Sequence, residues 1–102
     1  MAGLSQYAQQ ELLDHLLKVG AYTPPTNIYV ALFTAAPSDS GGGTEVSGVN
    51  YARVQHNSWA AASAASPSVS SNVGAIDFAT PGAGGWGNVT HFALFDAITA
   101  GN

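Results

Sequence analysis

The chain has 102 residues, enough for one domain with a limited hydrophobic core and too few for a second domain. Lys and Arg together number two, and Asp and Glu together number six. The resulting net charge of −4 argues against nucleic acid as a partner. There is no cysteine, which excludes disulfides, thiolate metal sites and cysteine nucleophiles.

The first predicted element is an amphipathic helix over residues 5–19. Ser5 is suited to cap its N-terminus and Gly20 to end it. We expect its leucines to pack in the core, because the opposite side is acidic to neutral and does not suit an anionic membrane surface. Four leucines recur at three- and four-residue spacing and form one apolar stripe: Leu12, Leu13, Leu16 and Leu17.

The N-terminal region does not have the features of a signal peptide. It lacks a basic n-region and a continuous apolar h-region, and no apolar run in the chain is long enough to span a bilayer. We therefore expect a protein that is made in a cytoplasm and is not inserted into a membrane.

The remainder of the chain predicts strands separated by turns rich in glycine and proline. Strands 28–34 and 88–95 carry large apolar groups on both faces, so each is expected to be covered on both sides. We expect these two to pair or to face each other, with 88–95 as the central strand. The four predicted strands cover residues 28–34, 51–59, 73–79 and 88–95.

Two segments lack apolar periodicity. Residues 35–50 predict a long surface loop, and residues 60–72, which are mostly Ala and Ser around Pro67, predict either a loop or a poorly specified strand. One helix followed by four strands indicates an α+β domain. We expect a small antiparallel β-sandwich or barrel with the helix packed on one end or edge.

No motif in the sequence supports catalysis, a cofactor or a metal. Gly82, Gly84 and Gly87 match the spacing of a dinucleotide fingerprint, but a strand follows them where that motif requires a helix. Glu11 and His15 lie one helical turn apart, but two ligands are too few for a tetrahedral zinc site. The three histidines lie on three different elements, and His91 is expected to be a buried imidazole. These patterns predict a protein that is not an enzyme.

The aromatic side chains are the remaining candidates for contacts with a ligand or a partner. A Trp or Tyr ring can stack on a sugar or anchor an interface, although a domain of this size needs most of its aromatic groups for the core. Trp86, which glycines flank, and Tyr51 are the tentative interface or glycan contacts.

Four blocks of sequence resemble, in the same order, a family of small bacteriophage virion proteins. That family is described as tail-fibre or tail-associated structural proteins, so the resemblance implies a virion component without catalytic residues. The blocks are the opening Leu4-Ser5-Gln6-Tyr7-Ala8, the run I-Y-V-A-L-F-T at 28–34, G-G-G-T-E-V-S-G at 41–48 leading into Tyr51-Ala52-Arg53, and W-G-x-V-T-H-F-x-L-F-D at 86–96.

The resemblance leaves the position in the particle open. The leading interpretation is a tail-fibre or tail-tip protein that acts through contacts with other virion proteins. A capsid decoration or head-fibre protein is the first alternative. A carbohydrate-binding module that recognises the host surface, through Trp86 and Tyr51, is an alternative from another class.

The last residues of the chain lead to an expectation about assembly. Residues 97–102 look like the start of a turn, and the resemblance implies further β structure after such a turn. No strand follows here, so the apolar strand 88–95 could keep an unpaired edge. We therefore expect a neighbouring subunit to cover this edge, with a cyclic homo-oligomer as the form of the assembly.

Overall fold

The sheet is organised around one strand, β1 (Tyr29–Ala35). A computed structural model describes residues 3–64 and 70–102 of the chain. In this part of the chain a helix, α1 (Gln6–Leu16), precedes β1, and three further strands follow it. These strands are β2 (Thr44–Glu45), β3 (Val54–Gln55) and β4 (His91–Phe95), and all three run antiparallel to β1.

Strand β1 uses both of its edges. Tyr29 pairs with Phe95 on β4 and with Gln55 on β3, while Phe33 pairs with His91 on β4 and with Glu45 on β2. Because a residue pairs with one partner on each edge, β4 occupies one edge and β2 and β3 share the other.

The prediction that the two most apolar strands pair is therefore confirmed. The prediction that 88–95 is the central strand is wrong, because β4 pairs with β1 alone among the described strands.

The core lies along β1. Val30, Ala31, Phe33 and Val46 are its buried apolar side chains, and Phe33 stacks on Phe95 with the ring centroids 6.2 Å apart. The stack lies on one face of the sheet, since alternate residues of a strand point to opposite faces.

On the other face of β4, Phe92 is 67% exposed and Leu94 is 47% exposed. The expected cover on both faces of this strand is therefore absent in the described part of the chain, where no second layer lies over β4.

The α+β class is confirmed, and the sheet is open, so the barrel alternative is wrong. The prediction of a strand at 73–79 is also wrong, since these residues form no ladder and Gly74 has a φ of +86°. Strand β2 lies inside the segment predicted as a loop, and β3 keeps two residues of the strand predicted at 51–59. Of the segment 60–72, residues 65–69 lie outside the described residues.

Helix α1 begins where the sequence predicts and ends early. The Ser5 hydroxyl accepts a hydrogen bond from the Ala8 N–H at 3.1 Å, and the helix stops at Leu16 because Lys18 has a left-handed φ of 63°. The backbone N–H of Gln6 donates to the Asp39 carbonyl at 2.7 Å, which ties the first turn to the loop after β1.

The prediction that the leucines of this helix pack in the core is wrong for the described chain. None of the helix residues is buried, and no described strand contacts α1. The four leucines are instead between 43% and 68% exposed. The hydrogen bond to Asp39 places the helix beside the loop after β1 instead of over the sheet.

Gly43 makes the close turn that brings β2 back to β1. Its φ is +70°, and a Cβ atom at this position would lie 2.7 Å from the Ala35 carbonyl oxygen and 2.8 Å from the Pro37 Cα. Only glycine fits such an approach, because both obstacles are backbone atoms. The turn places Glu45 opposite Phe33.

We expect Gly43→Ala to lower the free energy of unfolding by about 2–4 kcal/mol, from the left-handed φ together with the backbone clash. Gly41→Ala is the matched control, since Gly41 has a φ of +100° and open space around its Cβ position. The control should cost about 1–2 kcal/mol from the φ alone. Chemical denaturation measures both, and equal losses would contradict the close approach at Gly43.

Candidate functional site at Arg53 and the neighbouring aromatic side chains

Arg53 is buried, with 9% of its surface exposed, although it carries a charge. It precedes β3, and its Nε and one terminal nitrogen donate to the two carboxylate oxygens of Glu45, each at 2.8 Å. The other terminal nitrogen donates to the backbone carbonyls of Ala97 at 2.9 Å and Ala100 at 2.7 Å. A bidentate ion pair with two further acceptors satisfies the guanidinium away from water.

The guanidinium also lies on an aromatic ring. Its central carbon is 3.9 Å from the centroid of the Phe95 ring at the end of β4. Phe95 in turn stacks on Phe33 of β1. Arg53 therefore connects β2, β4 and the C-terminal turn through one side chain, and the ring supplies a cation–π contact in addition to the ion pair.

Tyr51 joins this group through its hydroxyl. The Tyr51 O–H donates to a Glu45 carboxylate oxygen at 2.7 Å, and the same oxygen atom of Tyr51 accepts from the backbone N–H of Leu32 at 3.1 Å. Burial and the bond to Glu45 raise the pKa of Tyr51 to about 12, so the phenol stays neutral. The hydrogen bonds from Arg53 hold the pKa of Glu45 below its usual value.

The structure brings the two aromatic residues singled out from the sequence together. The rings of Tyr51 and Trp86 meet edge to face, with centroids 5.4 Å apart, and Tyr51 also stacks on Phe78 at 6.3 Å. The Trp86 indole N–H donates to the Val49 carbonyl at 2.9 Å. Both side chains are half-buried, so part of each ring faces solvent. Their role as interface or glycan contacts stays a prediction.

The histidines are not brought together. His15 accepts a hydrogen bond from the Tyr22 N–H at 3.2 Å, and His56 lies edge to face on the Trp59 ring. His91 is exposed and contacts the Thr90 hydroxyl at 2.8 Å, so the prediction that it is buried is wrong. Residues 3–64 and 70–102 contain no group of three metal-ligating side chains that could hold a metal ion.

The arrangement around Arg53 is suited to holding strands together. Within the described residues every buried side-chain nitrogen and oxygen has a hydrogen-bond partner, so no polar group there is left aimed at a ligand. Sequence reasoning singled out Tyr51 and Trp86 but missed Arg53 and Glu45. The available signal was that Arg53 is one of two cationic side chains and stands in a predicted strand two residues after Tyr51.

We expect Glu45→Gln to lower the free energy of unfolding at pH 7 by about 2–3 kcal/mol, because it leaves the buried Arg53 without its counter-charge. Asp77→Asn removes the same charge from an exposed side chain and should change stability by less than about 0.5 kcal/mol. Urea denaturation at pH 7 compares the two. An equal, small effect of both variants would contradict the role of the ion pair.

The same variant tests the pH dependence of stability. The Glu45 pKa in the folded chain is lowered from its usual value of 4.5, so its contribution is complete above that value and is lost as the pH falls through the folded pKa. Between pH 5 and acid conditions, the wild type should therefore lose more stability than Glu45→Gln, while Asp77→Asn should follow the wild type. Parallel curves for wild type and Glu45→Gln would contradict this assignment.

The chain matches a model of a known protein family. The family model described as Podophage GP4 fiber I protein gp80 matches residues 3–102, which is nearly the whole chain. A comparison with curated proteins finds no match.

Proposed function

Because the chain belongs to the podophage GP4 fibre I protein gp80 family, we propose that it is a non-enzymatic structural component of the tail fibre or tail tip. The family itself is one of phage fibre proteins, so the chain is a structural component of a virion. We propose further that it acts through protein–protein contacts with other virion proteins and with copies of itself.

The observation that supports self-association is the unpaired edge of β4. This strand pairs with β1 on one edge, and its second edge has no strand beside it in the described part of the chain. It is also apolar, with Phe92 67% exposed on the outer face. An unpaired apolar edge binds another chain readily, because its free N–H and C=O groups and its side chains are both left in water.

The proposed assembly is a cyclic homo-oligomer in which a neighbouring subunit covers the β4 edge. Only 8% of the residues are charged, so copies of the chain repel one another weakly in spite of the net charge of −4. The described chain has no helix of the length and apolar character needed to cross a bilayer.

We expect the 102-residue chain to be oligomeric in light scattering and native mass spectrometry. Phe92→Glu should shift the mass toward the monomer and leave the circular dichroism spectrum unchanged, because this side chain is exposed within one chain. Val73→Glu is the matched control, since Val73 is also an exposed apolar residue but lies outside the sheet. A wild type that stays monomeric at high concentration would contradict self-association.

The position in the particle is tested on the intact virion. Immunogold labelling with an antibody against the folded domain should mark the tail. Label spread over the capsid would favour the alternative, a capsid decoration or head-fibre protein, and would contradict the tail position.

A second candidate function is sugar binding at the host surface. It is favoured by the half-exposed rings of Tyr51 and Trp86, which lie side by side. The structural proposal expects no signal above background when a multivalent preparation is applied to a glycan array. Binding that Trp86→Ala abolishes, and that Trp59→Ala leaves intact, would favour the second candidate.

A further inference from the structure

The chain has two apolar surfaces that its described residues leave uncovered. The first, called here the leucine face, consists of Leu12, Leu13, Leu16 and Leu17 on and just after α1. The second, called here the β4 patch, consists of Phe92 and Leu94 on the outward face of β4. We propose that the leucine face of one copy packs on the β4 patch of a second copy.

The leucine face points away from its own chain. The half-buried side chains of α1 are Ala8, Glu11 and Asp14. Of these, the acidic Glu11 and Asp14 lie on the side of the helix away from Leu12, Leu13 and Leu16. An amphipathic helix that completed its own domain would turn the leucines inward and these polar groups outward. Here the orientation is reversed, so the leucines are presented to something outside the chain.

Polar contacts fix this orientation. The Gln9 side-chain amide donates to the Asp39 carboxylate at 3.2 Å, and the Gln6 N–H donates to the Asp39 carbonyl at 2.7 Å. Near the other end of the helix, the Tyr22 N–H donates to His15 at 3.2 Å. Hydrogen bonds thus join the first turns of the helix to the loop after β1 and its last turn to the following linker, while its apolar side stays exposed.

The β4 patch has the character of a surface that receives a helix. Val30 pairs with Leu94 and Leu32 pairs with Phe92, so the four side chains share one apolar face of the sheet. Val30 is buried on this face, and Phe92 and Leu94 are the exposed members. Beside Leu94, this face continues into a groove lined by Ile28, Trp59 and Ser70. Leucine side chains fit such a surface, because a helix packed on a sheet face is one of the stable layer arrangements of small domains.

The matching apolar character of two surfaces on the same chain favours a second copy as the occupant. Neither the leucine face nor the β4 patch contains a charged residue, so packing one on the other buries no unpaired charge. A pairing of two leucine faces would cover the helices and leave both β4 patches in water. Packing the helix of one copy on the sheet of the next covers both surfaces with one kind of contact.

The same contact has the symmetry of the proposed assembly. Each copy supplies one leucine face and one β4 patch, and a head-to-tail contact of this kind forms a ring when the rotation closes. The inference therefore rests on the proposed self-association, and it adds a contact on the outward face of β4 to the proposed cover of that strand's edge.

Disulfide trapping tests the contact directly, because the chain has no cysteine of its own. Leu16→Cys and Phe92→Cys are prepared as separate proteins, one of them with a mass tag, then mixed and mildly oxidised. The mixed disulfide should exceed either homodisulfide several-fold. Leu13→Cys and Leu94→Cys form a second pair in case one variant fails to fold, and Val73→Cys mixed with Leu16→Cys is the control for random collision.

Each other result overturns the inference. A dominant Leu16→Cys homodisulfide would mean that helix packs on helix, and a dominant Phe92→Cys homodisulfide would mean that β4 meets β4. A third protein carries both Leu16→Cys and Phe92→Cys. A disulfide that forms within one chain of this protein would mean that the helix folds back on its own sheet. No mixed disulfide in an oligomeric wild type would remove this contact and leave self-association standing, whereas a monomeric wild type would remove both.

Discussion

The burial of one arginine constrains the rest of this structure. Arg53 is one of two Lys and Arg side chains in the chain, and a guanidinium taken out of water is stable only with a counter-charge and further hydrogen-bond acceptors. Its partners come from β2, from the C-terminal turn and from the ring of Phe95 on β4. The turn at Gly43, which brings Glu45 into place, and the end of β4 are therefore held together by one charge.

The central strand explains both the order and the incompleteness of the domain. β1 pairs along both edges, and its buried side chains, with Phe95 stacked on Phe33, form a small core. That core leaves the outer face of β4 and the leucines of α1 without cover from the described residues. The chain belongs to a phage fibre family, and the proposed self-association would cover these exposed apolar surfaces with a neighbouring copy.

Half-buried aromatic rings link the ion pair to the surface. The Tyr51 hydroxyl donates a hydrogen bond to Glu45, and the Tyr51 ring meets the Trp86 ring edge to face. The half-buried Tyr51 side chain therefore contacts both the ion pair and the aromatic group at the surface. A change at Glu45 would thus reach Trp86 through one intervening side chain. The aromatic pair and the β4 patch consist of different residues, and the proposed contact between helix and sheet uses only the β4 patch.

The sequence by itself determined the α+β class, the pairing of the two most apolar strands, the N-terminal cap of the helix and the phage virion family. These features depend on local periodicity, on a capping residue and on motifs that stay together along the chain. Only the tertiary structure decided that β1 is central, that 73–79 forms no strand and that Arg53 meets Glu45. The pairing order of the strands and the buried ion pair depend on which distant residues meet, and local periodicity does not specify those contacts. The outward orientation of the leucine face was decided in the same way, because an amphipathic pattern specifies that a helix has an apolar side and does not specify which chain covers it.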